Sequence, residues 1–279
     1  YGMKCLNRDC FLMMLLILLI PLQVSGQQKA QNRTLDCVIE PNATVKIGSA
    51  VEGILREVVV KRGDQVKKGD ELAKLDEELE RLTAELAKLR AEVDVEVRSG
   101  KTQLSFRRRE SRRMDDLRAK KVLAESEHDK AKVEESLARL TVEAATAENK
   151  ISQVEYQRAQ ENLRRRTILS PLDAVVVDVA LSPGEYVHEQ APLMTLASVD
   201  PLYVEVFVPA AYFGKITSGM RAEVVPEEPV GGSYMAEVTV VDQVFDPASR
   251  TFGVRLQLPN PDYRLPAGLR CKVQFPGQP

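Results

Sequence analysis

IGSAVEGILREVVVKRGDQVKKGDELAKLD (Ile47–Asp76) and ILSPLDAVVVDVALSPGEYVHEQAPLMTLAS (Ile168–Ser198) decide the fold when they are laid side by side. They align without a gap at an offset of 121 positions. The alignment equates Ser49 with Ser170, Gly53 with Ala174, Val58 with Val179, Gly63 with Gly184, Asp64 with Glu185, Val66 with Val187, Leu72 with Leu193 and Leu75 with Leu196. Glycines and apolar positions coincide together, so the two stretches read as copies of one unit. Each copy is about 30 residues, too small to bury an apolar face alone, so the two are expected to pair into one β-domain. Gly53, Gly63 and Gly184 are its expected structural turns, where glycine supplies a backbone conformation costly for other residues.

Between the copies runs a charged, glycine-poor stretch, Glu77–Arg166. Leu79, Leu82, Leu86, Leu89 and Val93 follow the three-four spacing of a coiled-coil seam, and Leu137, Leu140, Ala144, Ala147, Ile151 and Val154 repeat it. RAKKVLA (Arg118–Ala124) lies near the middle and reads as the turn of a helical hairpin. Its two arms are expected to reach about 60 Å. VDVEVRSGKTQLSF (Val93–Phe106) alone would pass for a β-hairpin; the flanking heptads favour helix, with Val97 read as a stutter in the seam.

Beyond Pro201, alternating runs such as LYVEVFVP, AEVTVVDQVF, FGVRLQLP and LRCKVQFP are separated by Pro, Gly and Asp turns, which predicts a small antiparallel β-barrel. At the other end, Lys4 and Arg8 precede the apolar run FLMMLLILLIPL (Phe11–Leu22), followed by Val24-Ser25-Gly26. This reads as an export signal, too short to span a bilayer comfortably. Cys5 and Cys10 would leave with it. Cys37 and Cys271 then form an even pair in an oxidising compartment. Cys37 sits on a first strand that should return beside the last barrel strand, so a disulfide between them is expected. A net charge of −2 gives no reason to expect nucleic acid as a partner.

Three stretches carry a family resemblance: GILREVVVKRGDQVKKGDELAKLD, RRRTILSPLDAVVVDVALSPGEYV and DPASRTFGVRLQLPNPDYRLPAGLRCKV. In this order they resemble the periplasmic adaptors, or membrane fusion proteins, of the haemolysin-D and resistance–nodulation–division (RND) types. The resemblance implies an elongated α+β fold. A lipoyl-type β-domain is split into two halves (47–76 and 167–197) around an antiparallel helical hairpin (77–166). A β-barrel follows (198–279), and a signal (1–26) and a lead-in with the first strand (27–46) precede. The family implies no catalysis, an inner-membrane transporter and an outer-membrane channel as partners, and a ring-like homo-oligomer, commonly a hexamer, in the periplasm. In RND adaptors the hairpin tip carries an Arg, a Leu four residues later and a Ser seven after that. Arg113 and Leu117 fit this pattern, and Ala124 stands at the third position, so these three are the expected docking tip. An adaptor for an ABC exporter, or a structural or carrier protein with a lipoyl-like domain, are the alternatives.

Other chemistry finds little support. A swinging cofactor needs its lysine at a tight turn between the halves, where this chain has a hairpin, so Lys61, Lys67 and Lys68 read as solvated turn residues and no cofactor is expected. His128 and His188 have no metal-ligand spacing and read as solitary surface histidines. Glu77, Glu78, Glu80 and Glu85 read as a solvated helix face. RRRESRR (Arg107–Arg113) reads as a solvated face or a docking patch.

Overall fold

The computed structural model describes residues 34–122, 124–189 and 191–276; the expected signal, most of the lead-in and Leu123 lie outside these residues. In chain order the strands before the hairpin are β1 (Leu35–Ile47), β2 (Gly53–Val58), β3 (Gln65–Val66) and β4 (Glu71–Leu75). The helices are α1 (Glu78–Glu92), α2 (Val95–Ala119) and α3 (Glu125–Arg164). After them come β5 (Thr167–Leu169), β6 (Ala174–Val179), β7 (Tyr186–Val187), β8 (Met194–Pro209), β9 (Arg221–Pro226), β10 (Tyr234–Asp246), β11 (Thr251–Leu258) and β12 (Arg270–Gln274).

The two sequence copies exchange strands. β2 pairs with β7 (Gly53 opposite Val187), and β3 pairs with β6 (Val66 opposite Ala174) in the equivalent register. β4 lies against β2 with Leu75 opposite Leu55, as β8 lies against β6 with Leu196 opposite Val176. The amide of Gly63 donates to the Val176 carbonyl and that of Gly184 to the Leu55 carbonyl. Ser49 and Ser170 each donate a hydroxyl to the carbonyl two residues on. Equivalent positions 55 and 176, 72 and 193, and 75 and 196 are all at most 1% exposed, so one pseudo-symmetric core is filled equally by both halves. Gly63 (φ 93°) and Gly184 (φ 94°) occupy matching turns in the left-handed region. Gly53 does not sit at a turn: it opens β2, and an added Cβ would lie 2.6 Å from Arg166 Nη1, so that position needs close approach rather than a special φ.

β1 and β8 are the two long strands and pair with each other along their length, through a bulge between Pro41 and Ala43. Their inner halves belong to the two-copy domain and their outer halves to a barrel closed in the order β1, β12, β9, β10, β11, β8. Strict alternation fills this barrel. Val204, Val206 and Val208 point in, against Ile39, Val224, Val254 and Val273, while Phe207 between them points out. Cys37 lies directly opposite Cys271 across β1 and β12, and the two are bonded with their Cα atoms 4.9 Å apart.

The hairpin departs from expectation in two ways. Its ascending arm is broken at Val93–Asp94 rather than carried through as a stutter, because Val93 is extended. The amide of Asn149 on α3 donates to the carbonyls of Ala91 and Val93, satisfying groups the break leaves open. The second departure is the seam. Leu79, Leu82, Leu86, Leu89 and Val93 are all more than half exposed, as are Leu137, Leu140, Ile151 and Val154. The arms instead meet along small residues: Ala84, Gly100 and Ser111 on one side, Ala131, Ala138 and Ala159 on the other. At Gly100 an added Cβ would stand 3.2 Å from Val142 Cγ2, so the backbones approach closely. α3, with 40 residues, extends the hairpin to about 60 Å.

Two stability predictions follow from this architecture. Gly63→Ala and Gly184→Ala should each cost about 1–2 kcal/mol, because no atom lies within 4 Å of the added Cβ and the penalty is conformational alone. Urea unfolding should give equal losses for the two, as the pseudo-symmetry requires. Joint replacement of Cys37 and Cys271 by Ser, which opens a link spanning 234 residues, should cost about 2–4 kcal/mol by the same measurement.

Candidate docking site at the hairpin tip

The tip is built where α2 runs out. Lys120 and Lys121 close the helix, Lys121 at φ 59°, and the amide of Val122 donates back to the Leu117 carbonyl at 3.2 Å. Ala124 is extended and starts α3 as its N-cap residue, with no side-chain capping bond. Arg113 and Leu117, four residues apart, lie one turn apart along α2. Leu117 is 38% exposed and Val122 68%, so the apex carries apolar surface with no core to enter. The fold therefore brings Leu117 and Ala124 to the two sides of one turn, with Arg113 a turn below. Gly53, Gly63, Gly184, Cys37 and Cys271 belong to the β-domains beyond the other end of the hairpin.

Beneath this apex lies a polar cluster. His128, expected as a solitary surface residue, is buried between the arms. Arg118 Nη1 lies 3.0 Å from His128 Nδ1, and His128 Nε2 lies 2.8 Å from Asp115 Oδ1. Arg118 can only donate, and the same Nδ1 also lies 3.3 Å from Asp129 Oδ1. Lys132 Nζ completes the set at 2.7 Å from Asp115 Oδ2, and Arg118 also reaches Glu125. The Lys132 ammonium, and secondarily His128, hold the Asp115 carboxyl below its usual range. This network ties α2 to α3 across the turn. Nothing in the periodicity of His128 or Asp115 signals it, because each lies in a mostly polar run, RRMDD and ESEHDK, where no spacing singles it out.

The basic run divides. Arg107 pairs with Glu110 and Glu134, and Arg108 with Glu135, so these two brace the arms. Arg109, Arg112 and Arg113 are exposed. At the base, Glu80 is not free in solvent: it pairs with Arg166, whose Nη1 also donates to the Glu52 carbonyl. His188 is exposed and meets the Tyr186 ring edge-on. Among the described residues no group of His, Cys, Asp and Glu is placed to hold a metal, and no helix is long and apolar enough to cross a membrane.

Comparison with known proteins places this geometry among relatives. Residues 43–198 match the family model described as CzcB-like, barrel-sandwich hybrid domain, and residues 201–279 match CusB-like, beta-barrel domain. A UPF0194 membrane protein of Yersinia enterocolitica is 26% identical over 285 residues, covering 83% of this chain and 86% of the relative. A UPF0194 membrane protein of Acidithiobacillus ferridurans is 28% identical over 129 residues, where the match spans 42% of this chain and 38% of the relative. Among solved structures, MacA from Actinobacillus actinomycetemcomitans shares the fold at a TM-score of 0.72 and 22% identity, with 87% of this chain and 78% of that one covered.

The Asp115 cluster makes tip stability depend on pH. A carboxyl whose folded pKa is depressed contributes stability above its unfolded value and loses it as pH falls through the folded value, which here means below about 4. Amide hydrogen exchange at residues 111–132 should accelerate in that window. Asp115→Asn should abolish the acid dependence and leave exchange elsewhere in the hairpin unchanged.

Proposed function

We propose that this chain, a member of the CzcB-like barrel-sandwich hybrid family, is the periplasmic adaptor of a multi-component efflux transporter. In this reading it bridges an inner-membrane pump of RND type to an outer-membrane channel as a sealed homo-oligomeric ring, acting by assembly rather than turnover. One observation carries it: the hairpin buries alanines and leaves its leucines outside. Leu79, Leu82, Leu86 and Leu89 form one apolar edge on α1, and Leu137, Leu140, Ile151 and Val154 another on α3, both turned away from the seam between the arms. An isolated hairpin has no use for two such edges. Copies set side by side bury the α1 edge of one against the α3 edge of the next. Because the edges differ, the contact is head-to-tail, the kind that forms a ring when its rotation closes, and the family resemblance implies a ring of six copies.

The hairpins of such a ring present a circle of tips, each with Leu117, Val122 and Arg113. Apolar burial of the leucine and hydrogen bonds from the arginine suit a channel rim, and repetition around the ring multiplies weak contacts. The missing Ser hydroxyl at Ala124 removes one polar contact, worth about 0.5–1.5 kcal/mol. That departure bears on the channel partner and not on the pump, for which an ABC exporter is the alternative.

Leu117→Asp and Arg113→Asp test the docking role. Each should reduce efflux in a complementation assay by about tenfold or more, while circular dichroism and oligomer size stay those of the parent. Efflux that persists in both variants with folding intact would support a structural or carrier protein instead. Leu82→Glu with Leu86→Glu should leave the hairpin folded and dissolve the oligomer, as read by sedimentation.

A further inference from the structure

Two ion pairs mark the two flat sides of the hairpin. Arg107 reaches Glu134 and Arg108 reaches Glu135; successive residues of a helix point about 100° apart, so the pairs straddle the seam. On the Arg107 side, α3 carries Glu127, Glu134, Glu148 and Glu155 on one seven-residue repeat, with Thr141 filling the gap. α2 adds Glu96 and Glu110 to the same side. The cations there are Arg90, Arg107, Lys130 and Arg158, and Arg107 is already held by Glu110 and Glu134. On the Arg108 side stand Lys101, Arg108 and Arg112 of α2 with Lys132 and Arg139 of α3. Its carboxylates, Asp115 and Glu135, are both engaged, by Lys132 and by Arg108. The hairpin therefore has an acidic side and a basic side.

The apolar edges decide which side faces inward. A ring of six hairpins joined edge to edge turns by about 60° at each joint, so each edge must face about 30° to the inner side of the hairpin's plane. Edges directly opposite the seam would build a flat row instead. The exposed apolar residues are Leu79, Leu82, Leu86 and Leu89 on α1, Phe106 and Leu117 on α2, and Leu137, Leu140, Ile151 and Val154 on α3. At 100° per residue they lie about 30–50° off the line opposite the seam, and on all three helices the lean is towards the Glu134 side. Leu137, for example, stands one turn from both Glu134 and Thr141. A lean in opposite senses on the two arms would close no ring.

We propose that the acidic side of the hairpin faces the axis of the ring and the basic side faces outward. This rests on the ring reading above, and adds to it the orientation of the hairpin and the charge of the passage it encloses. Rotation repeats one wall around the axis, so the glutamate row of every copy looks into the same enclosed space, where fields of one sign reinforce. Among the described residues no cluster is placed to hold a metal ion, so this wall acts by its field and not by coordination. It draws in positively charged solutes and disfavours anions; the solute class it fits is the organic cation.

Two threonines of α3 test the orientation. Thr141 lies on the acidic side and Thr146 on the basic side; both are exposed, and each hydroxyl donates only to a carbonyl of its own helix. Cys37 and Cys271 are bonded and buried, and the parent chain treated in parallel gives the background. In the full-chain oligomer, Thr141→Cys should react with a bulky polyethylene glycol maleimide about tenfold more slowly than Thr146→Cys, while N-ethylmaleimide labels both. A cationic methanethiosulfonate should be favoured over an anionic one at position 141 by about fivefold more than at position 146 at low salt. Glu148→Gln with Glu155→Gln should lower that preference, and Leu82→Glu with Leu86→Glu should open position 141 to the bulky reagent. Gln103→Cys, also exposed on the acidic side, replaces Thr141→Cys if that variant does not fold. An oligomer in which position 146 is the protected one, or both positions are open, overturns the proposal and leaves the ring standing. A chain that sediments as a monomer overturns both. Protection of position 141 without preference for the cationic reagent overturns the assignment of solute class.

Discussion

The exchange of strands between the two half-copies is the constraint on which the rest of the structure depends. Neither half has a core without the other, because Leu55 and Leu75 need Val176 and Leu196 to cover them. Once β2 takes β7 and β3 takes β6, the chain on either side of the insertion is fixed in place. Lys74 then lies opposite Thr167, and the Leu75 amide donates to the Arg166 carbonyl. The two ends of the helical segment are held at adjacent strands, so the helices must run out and back. Arg166, bonded to both Glu80 and the Glu52 carbonyl, anchors the base of the hairpin to the domain that holds it. The same domain passes β1 and β8 on as a paired ribbon into the barrel, which links the parts through backbone hydrogen bonds rather than a loose linker.

The hairpin itself rests on a competition between two seams. Ala131, Ala138, Ala145 and Ala159 recur at multiples of seven residues, with Ser152 filling the gap, and Ala84 and Ala91 do the same on the opposite arm. Leu79 and Leu86, and Leu82 and Leu89, recur at the same period on α1, and Leu137 and Ile151, and Leu140 and Val154, at twice that period on α3. A leucine seam would bury more apolar area within one chain. The alanine seam lets the helices approach closely and leaves the larger side chains on the surface. Cross-arm ion pairs from Arg107 and Arg108, and the His128 cluster at the apex, fix the register that the smooth alanine surface leaves loose.

This competition also explains what could be read from the sequence. The repeat at an offset of 121 was legible because glycine turns and apolar positions had to match together, and the strands of the two copies fall at the same offset: β2 onto β6 and β3 onto β7. The barrel was legible from its alternation. The seam was not: periodicity ranks leucine above alanine, whereas the arms bury the alanines and leave the leucines exposed. Gly53 looked like the other repeat glycines, although its need is the nearby Arg166 side chain, a contact 113 positions away in the chain. His128 and Asp115 met through tertiary structure alone. Arg113 and Leu117 were legible through their spacing, while the arrangement at Ala124 depended on a turn that no period describes.

A bridging role requires the two ends of this molecule to meet two different partners. A photo-crosslinking amino acid at position 117, and separately at position 244, in the native cell envelope tests it directly when the adducts are identified by mass spectrometry. Bridging gives adducts to an outer-membrane channel protein from position 117 and none to that protein from position 244. Adducts to one and the same protein from both positions, or to no outer-membrane protein from position 117, would contradict it.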